Sequence, residues 1–514
     1  MTSSVLNRSA TAQALASEGA TIEAATRTEQ VAELPQTIAS RFIILIVCMA
    51  MVLSTLAYGT VHTWSLAFFQ AGAAAIVFFW AVDAWRTGLL RFSRNVLQLP
   101  LLGLIALGLA QLLPLGSAFG AEALSVEPSR TLSLDPFWTR IAIVQIASLA
   151  IYFAATLAFI DSPRRLRLMV RTITIFGFLL ALFSMMQAFT SQGKLFWFAE
   201  LKQAVPFGPF INRHHFAGYM ELALALPLAI ALAGGAVEAD RRLLYGFAAG
   251  LMGIALIMTN SRGGLVSLVA EIIFLISLTE FRARKAEELT AADAASGWRP
   301  VLVRLGVSFA LLFAIVFGSL LYGGEESLSR FIGTVNSQDP TTGRAHFWSV
   351  TLDIIRDRPL LGVGLGAYSV AYTRYDTRGG QFRVEQAHND YLQTLSDAGV
   401  IGAALGLLFI VALFRLGFLR RQSRDPFRRA VATGAMTGCF AVLVHSFFDF
   451  TLHTTANALL FLLLAALATV NGRVEEAPRR RRRRRRRSSQ TSERLPADDG
   501  TKAEQQPNTA TAGI

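Results

Sequence analysis

The sequence predicts an all-α, polytopic membrane protein with about 12 transmembrane helices and a large external loop that carries short helices of its own. Three observations predict it. Of 514 residues, 53% are hydrophobic and only 16% charged, with a mean hydropathy of +0.45; soluble domains carry about 25% charged residues. Apolar runs of roughly 20 residues, enough to cross a bilayer at about 1.5 Å per residue, recur along the chain. The basic residues also gather in alternate loops, as the positive-inside rule requires of a chain threading a membrane.

The spans are placed at 42–60, 64–82, 97–115, 141–160, 168–189, 215–234, 243–259, 263–279, 305–323, 398–416, 430–447 and 455–471. One set of loops holds Arg86, Arg91 and Arg94; Arg164, Arg165 and Arg167; Arg241 and Arg242; Arg282, Arg284 and Lys285; and Arg415, Arg420, Arg421, Arg424, Arg428 and Arg429. That face is expected to be cytoplasmic, and an even number of spans puts both termini there, in the inner membrane. Residues 1–40, with neither a basic n-region nor an apolar h-region, read as a disordered tail instead of a signal peptide. Residues 41–472 form the membrane domain, and 473–514 a second disordered tail.

The net charge is +13, and the unbroken run Arg479 to Arg487 supplies nine positive charges. In a membrane protein such a run is a topology signal and a contact for anionic lipids, so nucleic acid is not expected as a partner. Cys48 and Cys439 both fall inside apolar runs and read as small buried hydrophobes, with no disulfide and no cysteine zinc site.

The opposite face is poor in basic residues except for the loop at about 324–397, which holds Arg330, Arg344, Arg356, Arg358, Arg374, Arg378 and Arg383. Arginines carried across against the usual bias make this loop the first place to look for function. After Thr341-Thr342-Gly343, the spacing of Phe347, Trp348, Leu352 and Ile355 predicts an amphipathic helix. Pro359 and the glycines at 362, 364 and 366 end it in a turn; no strand precedes them, so they are not a nucleotide fingerprint. A second short helix is expected at 391–397, capped by Asn389 or Asp390.

The residues able to do chemistry share this external face. Arg262, in Thr259-Asn260-Ser261-Arg262-Gly263-Gly264, opens the eighth span beside Ser261, a helix cap, where free backbone N–H groups and the positive dipole end favour an anion. Arg344 opens the amphipathic helix, and an arginine fork pairs with phosphate without ever losing its charge. His388 stands at the next helix start, and an imidazole near neutrality suits proton transfer. Arg213, in Asn212-Arg213-His214-His215 at the head of the sixth span, reads as an interfacial anchor or a phosphate or sugar contact. His445, Asp449 and His453, spaced four apart, would share one helical face; a metal site and an aromatic-belt helix end both fit that spacing.

Several stretches resemble the superfamily of bacterial O-antigen ligases and O-antigen or exopolysaccharide polymerases. They are Ser261-Arg262-Gly263-Gly264, Gly343-Arg344-Ala345-His346-Phe347-Trp348, Arg358-Pro359-Leu360-Leu361-Gly362-Val363-Gly364 and Ala387-His388-Asn389-Asp390-Tyr391-Leu392-Gln393. Gln111-Leu112-Leu113-Pro114-Leu115 and Leu134-Asp135-Pro136-Phe137-Trp138-Thr139-Arg140 add to the likeness. The resemblance implies glycan transfer from undecaprenyl diphosphate to an acceptor hydroxyl at the periplasmic face, inverting and without metal or other cofactor. The likeness makes Arg262, Arg344 and His388 catalytic; apart from it, Arg213, Asn389, Asp390, His445 and Asp449 are expected from their place on the external face as substrate contacts. The expected partners are the lipid-linked glycan donor, a lipid A–core or glycan acceptor, and membrane lipids. A polymerase using the same donor is the neighbouring alternative. A 12-span secondary transporter is the alternative of another class, against which stand the lack of an inverted repeat and the placement of the arginines in loops.

Overall fold

The computed structural model describes residues 36–115, 130–201, 204–289, 344–377 and 384–470, with backbone alone for 280–289. The chain is all-α and polytopic. Among the described residues, nine helices are long and apolar enough to cross a membrane, and two shorter apolar helices accompany them. In chain order these eleven are α1 (Ile38–Leu56), α2 (Thr63–Thr87), α3 (Gln98–Gln111), α4 (Pro136–Phe159), α5 (Pro163–Thr190), α6 (Arg213–Leu232), α7 (Ala239–Met258) and α8 (Arg262–Leu289), then, beyond two loop helices, α11 (Asp390–Arg420), α12 (Pro426–His445) and α13 (Thr455–Thr469). The loop helices are α9 (Arg344–Asp357) and α10 (Tyr368–Tyr375). The expected span at 305–323 lies outside the described residues, as do 324–343 and 378–383 of the loop.

Several helices begin a turn or so before the apolar run that announces them, and their caps explain it. Asp135 accepts from the Trp138 N–H, Ser162 from Arg165 and Asp425 from Phe427, each followed by a proline in the first turn. These polar starts satisfy backbone donors that hydropathy alone does not see.

The short helix expected at 391–397 and the span expected at 398–416 are the two arms of α11, which breaks between them at Gly399 with φ 63° and ψ −165°. The bend needs glycine twice over. That backbone region excludes other residues, and a Cβ there would lie 2.2 Å from the Leu360 carbonyl oxygen. The turn expected at the glycine run packs into the bend: Val363 N–H donates to the Ser396 carbonyl at 2.8 Å and Gly364 N–H to that of Asp397 at 3.1 Å. Gln111, fully buried at the end of α3, donates to the Leu361 and Asp397 carbonyls and accepts from Leu365 N–H. The arginine-rich loop is therefore fastened to the bundle through its own turn.

The last helix, α13, is buried along almost its whole length and packs against α1, α4, α6, α11 and α12. At its loop end Thr455 donates to the Thr60 carbonyl and accepts from Gln145. At its other end the buried guanidinium of Arg428 donates to the carbonyls of Leu467, Ala468 and Val470, satisfying acceptors the helix leaves open.

Candidate active site

The heads of α6, α8, α9 and α11 meet the tail of α12 and the turn that follows it. Asn212 caps α6 by accepting from His214 N–H, and Ser261 caps α8 by accepting from Gly264 N–H. The Ser261 hydroxyl also meets His214 Nδ1 at 2.8 Å, which ties the two helix heads together. Arg213 and Arg262 are thus the first residues of two joined helices, and Arg262 is exposed. Both N-termini present positive dipole ends at this spot.

The α12 tail lies against the head of α8. A Cβ on Gly263 would come within 3.0 Å of the His445 ring and 2.9 Å of Phe448 Cβ, so only glycine permits the approach. Arg344, the first residue of α9, reaches over the same turn. It donates to the Phe448 carbonyl and pairs with Asp449 at 3.5 Å.

His388 completes the group. Its backbone has φ 52°, uncommon for a residue with a side chain. The strain is held by bonds on both sides: Ala387 N–H donates to Gln393, the Ala387 carbonyl accepts from Trp348 Nε1, and Asn389 caps α11 through Tyr391 and Leu392 N–H. Its ring stacks on Phe347 at 5.9 Å and meets Phe450 edge-on at 4.9 Å. Its Nδ1 lies 3.1 Å from Asp449 Oδ1. One carboxylate, 1% exposed, therefore faces His388 with one oxygen and Arg344 with the other. Burial alone would raise the Asp449 carboxyl, but the His388 hydrogen bond and the nearby charges of His215, His214 and His388 hold it well below the usual carboxylate range.

The common face expected for His445, Asp449 and His453 does not form, because α12 stops at His445 and a turn and a 3-10 segment follow. The three side chains diverge: His445 Nδ1 pairs with Glu221 at 2.8 Å, Asp449 turns to His388, and His453 Nδ1 meets Asp390 at 2.6 Å. Asp390 and Asn389, expected at the substrate, are committed to this scaffold. Asp390 accepts from the Ser446 hydroxyl and Leu452 N–H, and Asn389 donates to the Phe447 carbonyl. His445 is fully buried beneath Gly263. Glu221 and Glu271, both fully buried, stand outside the motifs that mark the external face, and a carboxylate inside an apolar run is the signal that finds them.

With this geometry in view, the likeness to known proteins can be placed. Residues 247–407 match the family model described as O-antigen ligase. The likeness to the O-antigen ligase family lies in this stretch, less than half of the chain. The matched stretch holds Arg262, Arg344 and His388, and ends in α11 past the Gly399 bend. The chain is also similar to the exopolysaccharide production protein ExoQ of Rhizobium meliloti (strain 1021), 28% identical over 146 residues. That match covers 25% of this chain and spans only 33% of the relative's length.

Proposed function

We propose that the protein transfers a glycan from undecaprenyl diphosphate to an acceptor hydroxyl on the periplasmic face of the inner membrane, in surface-polysaccharide biosynthesis. The observation that carries this reading is Asp449 facing His388 and Arg344 at once, beside the joined heads of α6 and α8. A diphosphate leaving group needs positive charge where its own charge grows, and Arg262, Arg344 and the α8 head offer it. An acceptor hydroxyl needs a base. With Nδ1–H of His388 donated to Asp449, the other ring nitrogen carries the lone pair that can take the hydroxyl proton. Direct displacement by that hydroxyl inverts the sugar and uses no metal. Arg213 is placed to touch the second phosphate or the first sugar, while Asn389, Asp390 and His445 act by holding the turn that carries Asp449.

The acceptor is lipid A–core in a ligase and another lipid-linked glycan in a polymerase. The ligase reading follows the family model, and the polymerase reading follows the exopolysaccharide relative. Purified protein with lipid-linked glycan and each acceptor in turn tests both. Transfer should vanish in Arg262→Ala, Arg344→Ala and His388→Ala while melting is unchanged; normal transfer by all three would return the transporter reading to first place. The orientation is tested by alkaline phosphatase fused near Asn336, which should be active, and fused after Arg473, which should not; the reverse pattern would overturn it.

A further inference from the structure

Three ionisable side chains lie inside the bundle below the candidate site, and holding the turn that carries Asp449 leaves their protons unaccounted for. His445, Glu221 and Glu271 are each 0% exposed, in a region where a charge is costly. His445 Nδ1 and Glu221 Oε1 are 2.8 Å apart. Among the described residues, the other Glu221 oxygen, both Glu271 oxygens and His445 Nε2 have no hydrogen-bond partner. Such groups are rarely left so in a protein interior.

Their helices, α6, α8 and α12, pack against one another and are the ones whose ends build the site. Gly264 of α8 meets Ala217 of α6. Glu221 is then about one turn below that contact and Glu271 about two. The two carboxyls therefore stand on packed helices about one turn apart in height. Two carboxylates this close in apolar surroundings cannot both be ionised, so the group holds protons. Above it, His445 Nε2 lies under the first turn of α8, at 3.0 Å from where a Gly263 Cβ would stand, beside Phe448 Cβ at 2.9 Å. Besides Glu221, the ionisable groups that face His445 are Asp449 and Asp390, both tied to partners of their own, and His214 and His215 at the head of α6.

We propose that His445, Glu221 and Glu271 form an intramembrane proton site that responds to an anion held at the head of α8. With the head empty, both glutamates are neutral acids and the imidazole is neutral. When a diphosphate arrives, its charge favours a cation beneath it. The Glu221 O–H bond breaks and an N–H bond forms at His445 Nδ1, and no other bond changes. The product is an imidazolium facing the Glu221 carboxylate. Glu271 keeps its proton, so no second negative charge opposes the pair. The bound anion gains a buried counter-charge that exists only while it is there. This rests on the proposed function only in taking the α8 head as an anion site.

The test is infrared difference spectroscopy on the full chain in lipid nanodiscs, with undecaprenyl diphosphate and, separately, inorganic pyrophosphate as probes. Binding of each is measured on the same sample with radiolabel. The expected result is a protonated-carboxyl band that disappears when a probe binds and is missing from Glu221→Gln, beside a second that persists and is missing from Glu271→Gln. Both substitutions keep size and hydrogen-bonding shape, and a melting scan confirms that they fold. A probe that binds without altering either band overturns the proton site and leaves the glycan-transfer reading standing. Pyrophosphate binding with the band lost, but no binding of the lipid, does the reverse. Absence of binding by both probes defeats the two together.

Discussion

Replacing Asp449 with asparagine removes one negative charge and almost no volume. In the native site Oδ1 receives His388 Nδ1 at 3.1 Å and Oδ2 faces the Arg344 guanidinium at 3.5 Å. An amide can replace only one of these: if its oxygen serves His388, its NH2 group is turned against Arg344. The imidazole also loses the anion that steadies it as it takes a proton. A hydrogen bond to a charged group contributes about 1.5–3 kcal/mol, which corresponds to a fall in rate of roughly 10- to 100-fold. The assay is single-turnover transfer from purified lipid-linked glycan in nanodiscs, with donor retention measured alongside. A rate within about threefold of wild type, less than 1 kcal/mol, would refute the role given to this carboxylate. The pH dependence supplies a second check. Because the folded-state value is depressed, the contribution to stability is present above the ordinary carboxylate value of about 4 and is lost as pH falls below it. The melting temperatures of wild type and Asp449→Asn should therefore differ at neutral pH and converge in acid; a constant gap would mean that the charge does not stabilise the fold.

Further expectations concern the residues around it. Arg262→Lys should lose nearly as much transfer as Arg262→Ala, since lysine offers a point charge in place of a fork; near-normal transfer by the lysine variant would show that charge alone suffices. His453 is lowered by burial but raised more by its hydrogen bond and charge pairing with Asp390, so its folded value is above normal. Its contribution is full below about 6.5 and is lost as pH rises through the folded value, so the melting gap between wild type and His453→Gln should narrow from about pH 6.5 upward, and a gap that widens would reverse the sign. Gly362→Ala should cost at least about 2 kcal/mol, read as a lower melting temperature with reduced transfer. There φ is +70° and a Cβ would fall 2.5 Å from the backbone of Ser396 and Asp397; an unchanged melting temperature would mean the turn can shift freely.

The membrane architecture was largely legible because each span announces itself by twenty apolar residues, a signal that needs no partner. Helix starts were less so, since Asp135, Ser162 and Asp425 set them by local capping and hydropathy ignores such residues. Arg262, Arg344 and His388 could be gathered on one face from topology alone, and they stand around one turn. What spacing could not reveal was Asp449 as their common neighbour. Its four-residue interval from His445 and His453 suggests a helical face, and the chain ends that helix between them. The partners of those side chains come from other elements, Glu221 for His445 from 224 residues away and Asp390 for His453 from 63. Glu221 itself is one acid among apolar neighbours, and only packing shows that it meets a histidine.

The central position of α13 bears on when the site can exist at all. The helix is the last of the described bundle in chain order, yet it fills the space between helices made much earlier. Residues 446–453, which carry Asp449, immediately precede it, and Thr454 and Thr455 pin that turn to His215 and Thr60. A growing chain that has inserted every described span up to α12 therefore still has a gap down its middle and an unanchored turn at Asp449. Assembly of the candidate site waits for α13 to slot home, so on the proposed function unfinished chains in the membrane would hold Arg213, Arg262 and Arg344 and yet leave the lipid-linked glycan untouched.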